Sequence, residues 1–285
     1  MKTGVWPERI KTLTIRTPYG EDPMKTSIFR TLFLAASMLS AISVLASDYD
    51  KEKRWADQVV DSIMTGDAVW LEANGHKFLG IHTEPADSGK TTGVIMLHGV
   101  GVHPNWTDVV QPIRVGVSEA GWHTLSLQMP ILANDAEISA YKPLFPEVSP
   151  RIDAGIEFLK ARGMKSIVIV GHSLGATMGG YFVARHSGTE VKALIAIGAS
   201  GLSFKDENLD FVSSLKKIKK PVLEITGSED LPDVLQTMKL KAQSAKDAGN
   251  KHYRVARIAG ANHFLVGKEA ELVKTITDYL EQVGK

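Results

Sequence analysis

The sequence contains no cysteine. Disulfides, thiolate nucleophiles and cysteine-based zinc sites are therefore excluded, and nucleophilic chemistry falls to serine. Charge of one sign is also lacking: 33 Lys and Arg against 32 Asp and Glu leave a formal net charge of +1. That balance gives no electrostatic footing for nucleic acid or an anionic membrane surface. The densest basic run, Lys216-Lys217-Ile218-Lys219-Lys220, precedes Pro221 and the apolar Val222-Leu223, so it reads as a solvated helix end. No internal repeat or low-complexity tract interrupts the chain, which predicts one domain from about residue 50 onward. With 44% hydrophobic and 23% charged residues over 285 positions, disordered and fibrous classes drop out and a large core is expected.

Long apolar runs are scarce as well. Residues 31–44 form an uncharged stretch, shorter than the roughly 20 residues a membrane span needs and diluted by Ser37, Ser40 and Ser43. It follows the basic segment Met24-Lys25-Thr26-Ser27-Ile28-Phe29-Arg30 and ends in Val44-Leu45-Ala46, with small residues at −3 and −1 of a cleavage point. Residues 24–46 thus read as a signal peptide, with a membrane anchor as the competing reading, and residues 47–285 as the mature domain. A lipoprotein anchor would need a cysteine. Residues 1–23 place a mixed-charge tail ahead of a signal already complete from Met24, so Met24 is the expected initiator and 1–23 a non-native extension. The expected location is the periplasm or beyond, with no stable membrane span once the signal is removed.

What the chain does have is Gly171-His172-Ser173-Leu174-Gly175, placed between an apolar run at 166–170 and a small-residue helical segment. Strand, sharp turn with serine at its apex, then helix is the context of a nucleophile elbow. The pattern alone is weak, since chance produces G-x-S-x-G in about one chain in ten of this length. A bare glycine-serine turn is the competing reading.

Around it, hydrophobic periodicity predicts an antiparallel hairpin, 68–73 and 76–82, turning through Asn74-Gly75. Strand-like runs follow at 93–97, 123–127, 166–170, 191–197, 222–226 and 252–258. Helix-like stretches lie at 109–120, 150–162, 174–186, 211–219 and 235–249. A final helix carries Val273, Ile276, Leu280 and Val283 on one face. Continuous apolar strands alternating with helices predict an α/β fold: a mostly parallel sheet, covered on both faces, behind an N-terminal antiparallel hairpin.

A serine nucleophile needs a base, and the base an orienting carboxylate. Gly227-Ser228-Glu229-Asp230 follows the run at 222–226, and Asp230 is the expected acid. Glu229 and Asp233 are its alternatives, and Glu224 is less suited inside the strand. Gly260-Ala261-Asn262-His263-Phe264 follows the last strand and offers His263 as general base. His172 fills the variable elbow position and is expected to pack. Two backbone amides should receive the developing oxyanion. One is Leu174, at a helix N-terminus. The other is Val100, in the loop His98-Gly99-Val100-Gly101, unless that loop is only a glycine-rich turn.

The order of His98-Gly99, Gly171 to Gly175, Asp230 and His263 resembles the α/β-hydrolase superfamily over nearly all of the mature chain. Within it, His103-Pro104-Asn105-Trp106 and Leu125-Ser126-Leu127-Gln128-Met129-Pro130 are similar to a family of bacterial exported α/β-hydrolase-like proteins to which no substrate is attached. The resemblance implies an α/β-hydrolase fold and the triad roles just given. Only a short loop and one helix separate Ile197 from Val222, so any cap is minimal. The stretch from 129 to 150, with Pro130, Pro143 and Pro146, would either shape an entrance or run along the surface. The expected activity is serine hydrolysis of a small acyl compound, foremost a carboxylic ester, without metal or cofactor. Amide, thioester and acyl-transfer chemistry would use the same groups, whereas haloalkane dehalogenation would want a carboxylate in place of Ser173. The competing class is a catalytically idle scaffold binding an envelope ligand or protein. Oligomeric state is not legible.

Overall fold

The Asn74-Gly75 pair does what its composition predicts. Both residues take positive φ (51° and 77°), the type I′ geometry whose twist suits a two-residue hairpin. The computed structural model describes residues 47–284 apart from Ser88 and Ser187. The expected signal peptide at 24–46 and the extension at 1–23 lie outside the described residues. The hairpin is β1 (Asp67–Ala73) and β2 (His76–Thr83), preceded by α1 (Tyr49–Val60). Asp48 caps α1 by accepting the Lys51 N–H at 2.9 Å. The apolar side of α1, Ala56 and Val59, closes over Leu79 and Ile81 of β2.

Six further strands complete the sheet: β3 (Thr92–Leu97), β4 (His123–Leu127), β5 (Ser166–His172), β6 (Val191–Ile197), β7 (Val222–Glu229) and β8 (Tyr253–Asn262). Their order is β1-β2-β4-β3-β5-β6-β7-β8, antiparallel through β2/β4 and parallel from there on. Every residue of β3 and β4 is buried, as strands covered on both faces must be. Side-chain alternation splits the core in two. Ile95, Leu97, Ile167 and Ile169 face α3 (Phe145–Lys160), α4 (Leu174–Val183) and α5 (Phe211–Leu215). Val94, Met96, Val168 and Val170 face α2 (Val110–Glu119) and α8 (Glu269–Val283). Along α8 the buried stripe is Leu272, Ile276, Tyr279 and Leu280, one step rotated from the expected face because Val273 turns toward Gly116 of α2.

Several boundaries differ from expectation, and the helix expected at 211–219 ends at Leu215. β7 and β8 run on through glycine-containing segments that read as turns, since the pairing of Glu229 with Asn262 extends the ladder past a register shift. Helix α3 starts at Phe145, earlier than expected: Pro146 sits in its first turn, where a missing N–H costs nothing. The expected helix at 235–249 is two, α6 (Pro232–Gln236) and α7 (Met238–Asp247), broken at Thr237. The Thr237 hydroxyl donates to the Asp233 carbonyl at 2.6 Å and accepts the Gly201 N–H at 3.1 Å. The stretch after β4 is not a plain surface connection: its 3-10 helix, Ile138–Leu144, buries Tyr141 and Leu144. Between β6 and β7 only α5 intervenes, so the cap is minimal.

Strand β3 marks the point where the sheet reverses its strand order. The chain leaves it for β4 on one side and reaches β5 on the other, and the connections diverge at its carboxyl end. In open α/β sheets that crevice is where ligands bind.

Candidate active site

The loops after β3 and β5 meet at this crevice. Ser173 sits between β5 and α4 at φ 55°, ψ −119°, a conformation L-residues avoid. It is held there by its own N–H donating to the Ile197 carbonyl at 2.8 Å. The flanking glycines are sterically required. A Cβ on Gly171 would lie 2.4 Å from the Gly175 carbonyl oxygen, and one on Gly175 would lie 2.3 Å from that of Leu97. Strand, strained serine and helix are thus the elbow that the motif predicts.

Asp230 and His263 are the first residues beyond β7 and β8, so two adjacent strands aim them rather than flexible loops. His263 Nδ1 lies 2.6 Å from Asp230 Oδ1. Burial alone would raise the Asp230 carboxyl, but the His263 hydrogen bond and charge, with the Leu231 and Gly227 amides, outweigh it and hold the group below its usual range. The carboxylate can only accept, so Nδ1–H donates and Nε2 is left for another partner. Glu229 and Asp233 are both exposed, and neither hydrogen-bonds His263. Glu224 is sealed in the core with Lys241.

His172 packs, as expected. Burial, then the neighbouring His263, pushes its imidazole down to about 4, and its Nε2–H donates to the His263 carbonyl at 3.0 Å. His263 is therefore pinned at ring and backbone alike. Ser173, Leu174 and His263 line one cavity of about 310 Å³, with Ile138, Leu202, Leu231 and Val234 supplying apolar wall. Ile138 comes from the stretch after β4, so that stretch shapes the entrance. A cleft of about 480 Å³ beside the hairpin is larger but is lined by no serine. Ser173 and His263 share the wall without a direct hydrogen bond, common in unliganded sites where this contact tightens on binding.

The Leu174 N–H opens α4 and has no intrahelical acceptor. Val100 does not line the cavity itself; its neighbour Gly99 makes the approach, a Cβ there standing 3.3 Å from the Cβ of Ser173. The orientation of the Gly99–Val100 peptide has a physical cause that sequence reading missed. His98, 1% exposed, donates from Nδ1 to the Gly99 carbonyl at 2.8 Å. Its Nε2 accepts the Met129 N–H at 2.9 Å, with the Gln128 amide at 3.0 Å. Burial drives its pKa down to about 3, so it stays neutral and keeps this tautomer. A trans peptide points N–H opposite to C=O, so His98 turns the Val100 amide away from the interior. Ser126 adds a hydrogen bond to the Pro104 carbonyl at 2.7 Å, and Asn105 takes one from Arg114 at 2.8 Å. The segments 103–106 and 125–130 are thus a brace for the loop after β3.

The loops around the cavity carry exposed apolar side chains. Of the ten exposed large hydrophobic side chains among the described residues, Val100, Leu202, Leu231, Phe264 and Val266 all lie on loops at this end of the sheet. Of these, Leu202 and Leu231 line the cavity itself, beside the polar Ser200, Ser203, Asp233 and Thr237. Among the described residues no group of three or more His, Asp or Glu is arranged to hold a metal ion, and no helix is long and apolar enough to cross a membrane.

Solved structures share this architecture. Est1E from Butyrivibrio proteoclasticus is 17% identical, with TM-score 0.60 over 78% of this chain and 100% of its own. The esterase domain of a Rhodothermus marinus protein is 15% identical, with TM-score 0.61 over 78% and 100%. An alpha-beta serine hydrolase homologue from Coxiella burnetii is 18% identical, with TM-score 0.59 over 76% and 99%. At such identities the likeness is one of fold, the α/β-hydrolase fold. No curated protein matches the chain. With matches over residues 46–145 and 133–282, the chain belongs to the family described as "Protein of unknown function (DUF3530)".

Proposed function

We propose that this protein is an exported serine hydrolase that cleaves a small, largely apolar acyl compound, foremost a carboxylic ester, through an acyl-enzyme. One observation carries the reading: the buried 2.6 Å Asp230–His263 bond ends on a cavity whose wall also holds Ser173 at a strained elbow. His263 Nε2 takes the Ser173 proton as Oγ attacks the substrate carbonyl. The oxyanion is received by the Leu174 amide at the start of α4 and the Val100 amide whose peptide His98 fixes, so little reorganisation is needed when charge develops. His263 then protonates the leaving alcohol, and on the return step it draws a proton from water, which releases the acid. Asp230 keeps the imidazole in its working tautomer and stabilises the imidazolium. The apolar side chains on the surrounding loops and the modest cavity favour a short or slender acyl group over a bulky one.

A fluorophosphonate probe tests this directly. Folded protein should be labelled stoichiometrically, and Ser173→Ala should lose the label while unfolding at the same temperature within a few degrees. Labelling that survives in Ser173→Ala, or folded protein that never reacts, would transfer the case to a binding scaffold without chemistry.

A further inference from the structure

Outside the lining of the cavity, Ser47 is only 5% exposed and enters a largely buried ionic cluster. Its backbone nitrogen lies 2.9 Å from Glu147 Oε1, and its hydroxyl bonds the Glu52 carboxylate and accepts the Ile131 N–H at 2.8 Å. Both carboxylates converge on Arg151 of α3. The guanidinium grips Glu52 at 2.9 and 3.0 Å and Glu147 at 2.7 Å. His76 Nε2 also reaches Glu52, at 2.9 Å, and the Tyr49 hydroxyl reaches Glu147 at 3.3 Å. The nearby Lys51 ammonium is engaged elsewhere, with the Leu132 carbonyl at 2.6 Å and Asn134 at 2.7 Å. Two carboxylates against one guanidinium leave one surplus negative charge, with Arg151 and Glu52 only 2% and 5% exposed and Glu147 15%. An uncompensated buried charge is expensive, and an amide N–H offers that carboxylate a dipole rather than a charge.

We propose that Ser47 is the first residue of the working protein and that its α-ammonium is the missing cation of this cluster. An endopeptidase that reads small residues at −1 and −3 hydrolyses the Ala46–Ser47 bond. Water gives its oxygen to the Ala46 carboxylate and both protons to the Ser47 nitrogen, which becomes –NH₃⁺ in contact with Glu147. Processing thereby strengthens the fold at the point where it cuts. The proposal rests on the export reading but adds a physical receptor for the new terminus.

The test is a cycle on the full chain, cut or uncut after Ala46 by purified signal peptidase, with Glu147 or Glu147→Gln, each form unfolded in urea. Cutting should raise the folding equilibrium constant of the wild-type chain about tenfold more than that of Glu147→Gln, the scale of a buried hydrogen bond to a charged group. Equal gains overturn the proposal, and would also be the outcome if His76 supplied the balancing charge. Should Glu147→Gln fail to fold, acylation of the α-amine in cut wild-type protein reads the same contact. It should proceed at least tenfold more slowly than in an unstructured peptide beginning with Ser, and an equal rate overturns the proposal. Coupling in the cut chain together with retention in the cytoplasm would sink the export reading and leave the ammonium site standing. An exported chain that begins at another residue overturns the site.

Discussion

Strand β7 carries two acid–base pairs built from nearly the same parts. Glu224, within the strand, holds Lys241 and the Tyr253 hydroxyl. Asp230, just past its end, holds His263. Both carboxylates are fully enclosed, and each sits against a nitrogen base. What separates them is the far side of the base. Lys241 spends its remaining reach on the Ala199 carbonyl at 2.6 Å and is wholly buried, and burial with the Glu224 charge pushes the Tyr253 hydroxyl well up. His263 turns Nε2 toward a cavity. A buried ion pair closed on every side can only hold elements together, here β7, β8, α7 and the loop after β6. The same pair with one face open can move a proton to something that arrives from outside.

The contrast breaks most easily at His263. His263→Ala should lower kcat/KM on the order of 10³-fold or more, with the unfolding temperature little changed; retained turnover would place the base elsewhere. Asp230→Asn should follow closely, since it removes the acceptor that sets the tautomer, while Asp233→Asn on the cavity rim should cost less than about tenfold. A reversed ranking in steady-state kinetics would reassign the acid. The sealed pair should behave oppositely. Lys241→Met leaves Glu224 buried and unpaired, a loss on the order of 3–5 kcal/mol in urea unfolding, yet activity per folded molecule should stay within about threefold of wild type. Full stability with lost activity in Lys241→Met would erase the distinction between the two pairs.

The last comparison is in pH. Burial holds His98 down to about 3 and His172 and His82 to about 4, against an ordinary 6.5. The unfolded chain takes up protons that the folded one refuses, so stability is complete above about pH 6.5 and declines as pH falls toward 4. Asp230, depressed in the fold, contributes stability above its ordinary 3.8 that is lost on further acidification. Two of the three histidines brace the open end of the sheet, so the urea midpoint should fall between pH 7.5 and 5. An unchanged midpoint would mean that these imidazoles accept protons inside the fold.

Much of this was legible because it is local or ordered along the chain. Asn74-Gly75 fixes a turn type, alternating apolar residues fix the two faces of β3 and β5, and Gly171 and Gly175 bracket a serine that only a tight elbow requires. The serine–acid–histidine order names the loops in which to look. The rest depends on partners distant in sequence. Glycines at 227 and 260 resemble turn residues, yet a neighbouring strand extends pairing through them and seats Asp230 and His263 on rigid ends. His98 reads as half of a dipeptide until Met129 and Gln128 fold over it. The Glu52–Arg151 contact joins residues 99 apart, and no periodicity announces it.

The backbone of Ser173 has a consequence of its own. A non-glycine residue at φ 55°, ψ −119° stores about 1–3 kcal/mol of strain, which glycine at the same position would release. Random substitution therefore has a downhill path away from serine, toward a more stable and chemically silent chain. A scaffold with no use for the hydroxyl would have little to stop it sliding there. Holding a side chain on the unfavourable side of that slope, walled in by Gly171 and Gly175, is what continued use of the hydroxyl would look like.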